Sequence, residues 1–251
     1  MPTDFFSFKK DNAVLFYVGV EHSWNPDNPQ FIFLKEKFFE FLKIAKNPLT
    51  VVETRGCAMY TTEAEAITQG GEIGFMALLC HTNDVPIICF EPDRGEEMNA
   101  LLKEFSKDQI EYYYFARTVA QWYRLIERPE INNYLTRFLE RDKKVSEWAD
   151  FAFSLEYMKE VHKKLFKNEL NFNNAKFFKK IENPTREDNP LKEVARASGK
   201  FRDETVVQKI LEAWEQKKDL FVIYGRGHTE RHLSRIKLAK NNKKTKKKRH
   251  N

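Results

Sequence analysis

Four short runs along the chain are apolar at almost every position rather than at alternate ones: "AVLFYV" (13–18), "LTVVE" (49–53), "VPIICFE" (85–91) and "DLFVIY" (219–224). A strand with one wet face alternates, whereas a strand covered on both faces does not, so these runs predict buried strands of a mostly parallel sheet. Between them, residues 31–46, 63–82, 96–107 and 204–217 read as helices, the first with a Phe-rich face. Strand and helix in alternation mark the α/β class. The alternation fails from about 108 to 180, where the chain is helical, aromatic and highly charged with no strand candidate; the loop "ENPTREDNPL" (182–191) closes that stretch. The pattern therefore predicts an α/β fold, a central mostly parallel sheet flanked by helices, with a helical insertion. The expected parts are a first α/β half (1–107), a helical insertion or cap (108–190) that would wall a pocket, a second α/β part closing the same sheet (191–236), and a disordered basic tail (237–251).

Charge changes the picture only at the end of the chain. Of the formal +6, eight Lys or Arg fall within "KLAKNNKKTKKKRHN", which leaves residues 1–236 at −2. Basicity is thus a property of the tail, and nucleic acid or an anionic surface is expected as a partner only through it, if at all. No aromatic residue is interleaved with those charges to stack on bases. Cys57, Cys80 and Cys89 are an odd set without CxxC spacing, which implies neither a disulfide framework nor a zinc knuckle and fits a reducing compartment. No apolar run nears the roughly 20 residues that span a bilayer, and the first residues show no signal-peptide pattern. The expectation is a cytoplasmic protein with no membrane partner and a small-molecule or peptide substrate; its oligomeric state is left open.

In an open α/β sheet, ligands bind beyond the carboxyl ends of the strands. The residues just past each strand are therefore the informative ones. The first strand gives Gly19-Val-Glu-His22, the second ends in Glu53, the third in Glu91, and the last gives Gly225-Arg-Gly-His228. Two glycine-histidine joints of the same build imply two sides of one pocket. Glycine at each joint is expected to allow a positive φ on leaving the strand and a close approach of backbone to ligand. Glu72, after two glycines in "QGGEIGF", can point to the same edge from a helix start. If the strands are neighbours, His22, Glu53, Glu72 and His228 converge. Glu91 before proline reads as a turn, His81 as a helix end, and His162 and His232 as surface residues.

Two histidines and two carboxylates suit either of two chemistries. They can bind a divalent metal such as Mn, Co or Zn, leaving a position where water is activated. Alternatively a histidine acts as general base on water while a carboxylate orients its other nitrogen, with no cofactor.

The order of these residues resembles the TraB/TIKI superfamily, which includes erythromycin esterase-like and ChaN-like proteins. Its marks are a GxxH near the start, two separated glutamates, and a second GxxH near the end; here these are Gly19 to His22, Glu53, Glu72, and Gly225 to His228. A family arginine in a segment like RDxxM is matched by Arg202-Asp203, with Val206 where Met is common. The resemblance covers roughly 13–95 and 200–232. It implies a two-half α/β fold and, in some members, metal-dependent proteolysis or ester hydrolysis; other members are linked to haem or iron. On that footing the chain is expected to be a hydrolase acting on an ester or amide carbonyl. Catalysis, and any metal, would be carried by His22, Glu53, Glu72 and His228, with Arg202, Gly19 and Gly225 against the substrate. The alternatives are a non-enzymatic metal- or haem-binding protein and a nucleic-acid-associated protein acting through its tail.

Overall fold

The computed structural model describes residues 4–54, 58–125, 127–183 and 185–247; of residues 182 and 240–247 it describes the backbone alone. In chain order the elements are β1 (Asp4–Lys10), β2 (Ala13–Val20), α1 (Gln30–Leu42), β3 (Pro48–Val52), α2 (Glu63–Thr82), β4 (Ile87–Cys89) and α3 (Arg94–Leu101). Next come α4 (Lys107–Trp122), α5 (Ile131–Ser146), α6 (Leu155–Phe166), α7 (Ala175–Glu182), α8 (Lys192–Glu215), β5 (Asp219–Gly225) and α9 (Arg226–Lys247). The chain divides into two compact units, one of residues 1–91 and 203–251, the other of residues 92–202.

The first unit holds one five-stranded sheet in the order β1-β2-β5-β3-β4. β2, β5, β3 and β4 run parallel, and β1 is antiparallel to β2. The fold is therefore α/β with a mostly parallel sheet. β2 shows why its sequence does not alternate. Val14, Phe16, Val18 and Val20 enter one core with Phe31, Leu34 and Phe38 of α1 and Phe75 and Met76 of α2. Ala13, Leu15 and Tyr17 enter a second core with Val206 and Ile210 of α8 and Leu233 and Ile236 of α9. Side chains still point to opposite faces in turn, but both faces are dry.

Asp219 ties down the start of β5. Its buried carboxylate accepts hydrogen bonds from the amides of Val14 (2.9 Å), Lys46 (2.7 Å) and Asn47 (2.9 Å), so one side chain joins the amino ends of three neighbouring segments.

Several boundaries differ from those read in the sequence. β1 was not expected; it forms a hairpin with β2 through Asp11, whose φ is 52°. Its half-exposed edge position, with Phe5, Phe6 and Phe8 between polar residues, carries too short a pattern to stand out. The helix expected over 96–107 is two helices. α3 starts in a capping box made by Asp93 and Glu96, and Ser106 with Gln109 starts α4 in another. The 204–217 helix begins twelve residues earlier than expected, at Lys192. α9 continues through Lys247 into the segment expected to be a disordered tail, and residues 248–251 lie outside the described residues.

The second unit, residues 92–202, is wider than the 108–190 insertion expected from the sequence, because α3 contributes Met98 and Leu101 and α8 contributes Val194 and Ala195 to its core. α4 is central to it, and its Tyr112, Tyr113, Tyr114 and Phe115 are buried in the core of that unit. His162, expected on the surface, is buried: its ring is bonded to the Tyr112 hydroxyl (2.5 Å) and to Asn168 Oδ1 (2.7 Å).

Cys80 is buried and Cys89 half-buried, and Cys57 lies outside the described residues. No helix among the described residues is long and apolar enough to cross a membrane.

Candidate functional site

Because β2, β5 and β3 are parallel neighbours, their carboxyl ends share one edge of the sheet, and the chain past each end carries its polar groups there. Val20 is paired with Gly225 and Gly19 with Tyr224, so the two glycine joints lie side by side, one residue out of step. Neither glycine takes the positive φ expected of it. Their requirement is space. A Cβ at Gly19 would collide with Thr229 Oγ1 of α9, and one at Gly225 would stand 3.1 Å from Glu53 Oε2 and 3.3 Å from His22 Nε2. Gly71, by contrast, does need its freedom: at φ 57° it kinks α2, and the buried Glu72 opens the second half of that helix.

The two joint histidines are held alike. His22 Nδ1 is 2.5 Å from Glu72 Oε1, and His228 Nδ1 is 2.6 Å from Asp203 Oδ1. Both carboxylates are 4% exposed, while the His22 side chain is 55% exposed and that of His228 18%. Between them stands Glu53, past the end of β3. Its Oε2 accepts a hydrogen bond from the Gly225 amide (2.9 Å), and its Oε1 lies 3.5 Å from His228 Nε2. Each histidine thus has Nδ1 committed to a buried carboxylate, and each Nε2 lies close to the Glu53–Gly225 corner.

The electrostatics result from those contacts. The hydrogen bond that its Nδ1–H donates to Glu72 raises the His22 imidazole above its ordinary value of 6.5, against the opposing effect of partial burial, and the Glu53 charge adds to the rise. Burial by itself would raise the Asp203 carboxyl; the hydrogen bonds from His228 and His232 outweigh it and hold the group well below the usual carboxylate range. Burial pushes the Tyr17 and Tyr224 phenols well up, so both stay neutral.

No protein family matches this chain. Neither a curated protein nor a solved structure is similar to it.

Of the residues singled out in the sequence, His22, Glu53, Glu72, His228, Gly19 and Gly225 lie at this one edge. Arg202 belongs to the helical unit, on α8, where its charge acts on the half-buried Arg117. Among the described residues, one group of three brings possible ligand atoms within 4.8 Å of one another and could hold a metal ion: Asp203, His228 and His232. It shares only His228 with the four ligands expected from the sequence. His232, expected on the surface, is 0% exposed; its Nε2 lies 3.1 Å from Asp203 Oδ1 and its Nδ1 2.9 Å from the Tyr17 hydroxyl. Sequence reasoning missed Asp203, His232 and Tyr17 as members of this network. The signal for His232 was its spacing: four residues after His228, it shares a helix face once the helix starts directly at Arg226.

Proposed function

We propose that the strand-end site is hydrolytic and activates water for attack on an ester or amide carbonyl. The observation that carries this reading is the paired arrangement of His22 and His228, each orienting Nδ1 on a buried carboxylate and holding Nε2 near Glu53. A histidine whose Nδ1–H is so engaged keeps a lone pair on Nε2, the requirement for a general base. In the proposed step, His22 Nε2 takes a proton from water as the water oxygen bonds to the carbonyl carbon; the bond to the alcohol or amine leaving group then breaks, and the leaving group receives that proton. His22 is the more open of the two rings and so the better placed to meet a substrate. The resemblance to the TraB/TIKI superfamily supports the same chemistry.

A divalent cation at this edge is the second form of the reading, and among the described residues only Asp203, His228 and His232 already have possible ligand atoms within 4.8 Å of one another. Carboxylate-bound Nδ1 with free Nε2 is how metal-ligating histidines are oriented, and the space that a Cβ on Gly225 would fill is bordered by Glu53 Oε2 and His22 Nε2. At the Glu53 corner, His22, His228 and Glu53 would have to draw closer together to hold the ion, with Glu72 and Asp203 behind the rings. When bound, such an ion supplies Lewis acidity toward the carbonyl and lowers the pKa of water.

The test is hydrolysis of a panel of p-nitrophenyl esters and chromogenic peptide amides by chelator-treated protein, alone and with added Mn²⁺, Co²⁺ or Zn²⁺. Wild type is expected to turn over at least one class, with His22→Ala and Glu53→Gln reduced by roughly 10²–10⁴-fold. Folded protein inert on the whole panel under every condition overturns the reading. Stoichiometric ion uptake without turnover would then leave a metal-binding protein. Calorimetry separates the two metal placements: loss of binding in His22→Ala favours the Glu53 corner, whereas loss in His232→Ala with retention in His22→Ala favours the Asp203 group.

A further inference from the structure

We infer that Tyr17, His232 and Asp203 form a buried relay of directed hydrogen bonds that fixes His228 as its Nδ1–H tautomer, making its Nε2 the bare nitrogen that faces Glu53. The inference deepens the hydrolytic reading, and its effect on activity rests on that reading; the tautomer itself does not.

The direction is set by counting protons. Tyr17 is fully buried and neutral, with a single O–H, and its hydroxyl is 2.9 Å from His232 Nδ1. The Asp203 carboxylate can only accept, so neutral His232 carries its proton on Nε2, which donates to Asp203 Oδ1 at 3.1 Å, and its bare Nδ1 accepts from the Tyr17 hydroxyl. The same carboxylate oxygen, 2.6 Å from His228 Nδ1, carries no proton to give and must accept there too. Asp203 Oδ2 is 2.9 Å from an Arg231 guanidinium nitrogen, an ion pair without the alignment of a hydrogen bond, which keeps the carboxylate anionic. The proton of neutral His228 is thereby on Nδ1.

A consequence reaches the open side of the ring. His228 Nε2 and Glu53 Oε1, 3.5 Å apart, are then two acceptors facing each other. Such a pair is repulsive unless a donor or a cation lies against both. A proton-bearing group, water or a hydroxyl, or a metal ion placed between His228 Nε2 and Glu53 Oε1 would satisfy both. Asp203, His232 and Tyr17 touch no substrate in this scheme; they are positioning residues.

The experiment is long-range ¹H–¹⁵N NMR of the full chain with ¹⁵N-labelled histidine, stripped with chelator, the His228 and His232 signals being assigned by their loss in single His→Gln variants. Wild type is expected to show a pyridine-like Nε2 and a pyrrole-like Nδ1 for His228, and the reverse for His232. A protonated Nε2 on neutral His228, or averaged shifts for either ring, overturns the relay. In Asp203→Asn the amide can donate to Nδ1, so the His228 shifts are expected to reverse, and kcat to fall roughly 10⁴-fold, as when a histidine is held in the wrong tautomer, with KM little changed. Unchanged His228 shifts in this variant overturn the proposal. Should Asp203→Asn fail to fold, Tyr17→Phe decides: it is expected to release His232 into mixed tautomers, and an unaltered His232 removes Tyr17 from the relay. If wild type shows the expected shifts but hydrolyses nothing, the relay stands and the hydrolytic reading falls.

Discussion

Each unit of this protein contains a buried tyrosine bonded to a buried histidine, and the two pairs end differently. In the helical unit Tyr112 holds His162 Nδ1, and Nε2 closes on Asn168, a neutral amide. In the sheet unit Tyr17 holds His232 Nδ1, but Nε2 meets the carboxylate of Asp203, which also holds His228 near the strand ends. Burial acts on both: it lowers the His162 imidazole and pushes the Tyr112 and Tyr17 phenols up. A tyrosine-histidine bond is thus a packing device in itself, one way of satisfying polar atoms in a core. What turns it toward chemistry is a charged acceptor that can take a second donor and carry the orientation outward.

The largest test of that contrast is removal of the acceptor. Asp203→Ala leaves the His228 and His232 donors without their acceptor, while the half-exposed Arg231 turns to water, and is expected to cost the sheet unit about 2–4 kcal/mol in urea unfolding. Asn168→Ala removes one neutral partner and is expected to cost about 0.5–1.5 kcal/mol with no change in hydrolysis; equal costs would erase the distinction.

Gly225→Ala probes the outward end. Its Cβ would sit 3.1 Å from Glu53 Oε2 and 3.3 Å from His22 Nε2, so one or both must give by a few tenths of an ångström. Turnover is expected to drop roughly 10–100-fold while the melting temperature stays within about 4 °C of wild type.

Glu111 offers a smaller contrast. It is fully buried in the helical unit with neither oxygen hydrogen-bonded. Burial, aided by the charge of Asp142, raises its carboxyl well above 4.5 despite Arg94 and Arg141 nearby. A carboxyl raised on folding favours the folded state at low pH and loses that advantage as pH climbs past the unfolded value. Glu111→Gln is accordingly expected to raise the melting temperature by about 2–4 °C at pH 8 and to leave it unchanged near pH 4; no gain at pH 8 would show that the site solvates the charge.

The smallest effect is a titration. In chelator-stripped protein His22 is expected to titrate above 6.5, and Glu72→Gln to bring it down, since the Glu72 hydrogen bond is the main cause of the rise. The stability it lends is present below 6.5 and lost as pH rises through the folded value. An unmoved His22 in Glu72→Gln would place the cause elsewhere.

Much of the fold was legible because burial on two faces leaves a plain mark. Continuous apolar runs announced β2, β3 and β5, while β1, at a half-wet edge, left too short an alternation to read. The site was legible to the extent that parallel strands bring their carboxyl ends to one edge, so the residues after each end, His22, Glu53 and His228, were the ones to inspect. Asp203 escaped because it comes from a helix on one face of the sheet, where it appears in sequence as an ordinary helical acid beside Arg202. His232 and His162 escaped because a histidine between charged residues looks solvent-facing until a tyrosine on another element is seen to accompany it.

The sequence alone therefore determined four of the five strands, their class of sheet and the polar residues just past them, since local pattern and strand direction suffice for those. Only the tertiary structure decided that β5 lies between β2 and β3, bringing the two glycine joints side by side, and that Tyr17, Asp203 and His232 stand behind His228. These contacts join residues up to 215 positions apart, and a hydrogen bond between such partners depends on strand order and helix packing, to which no local pattern in the chain is sensitive.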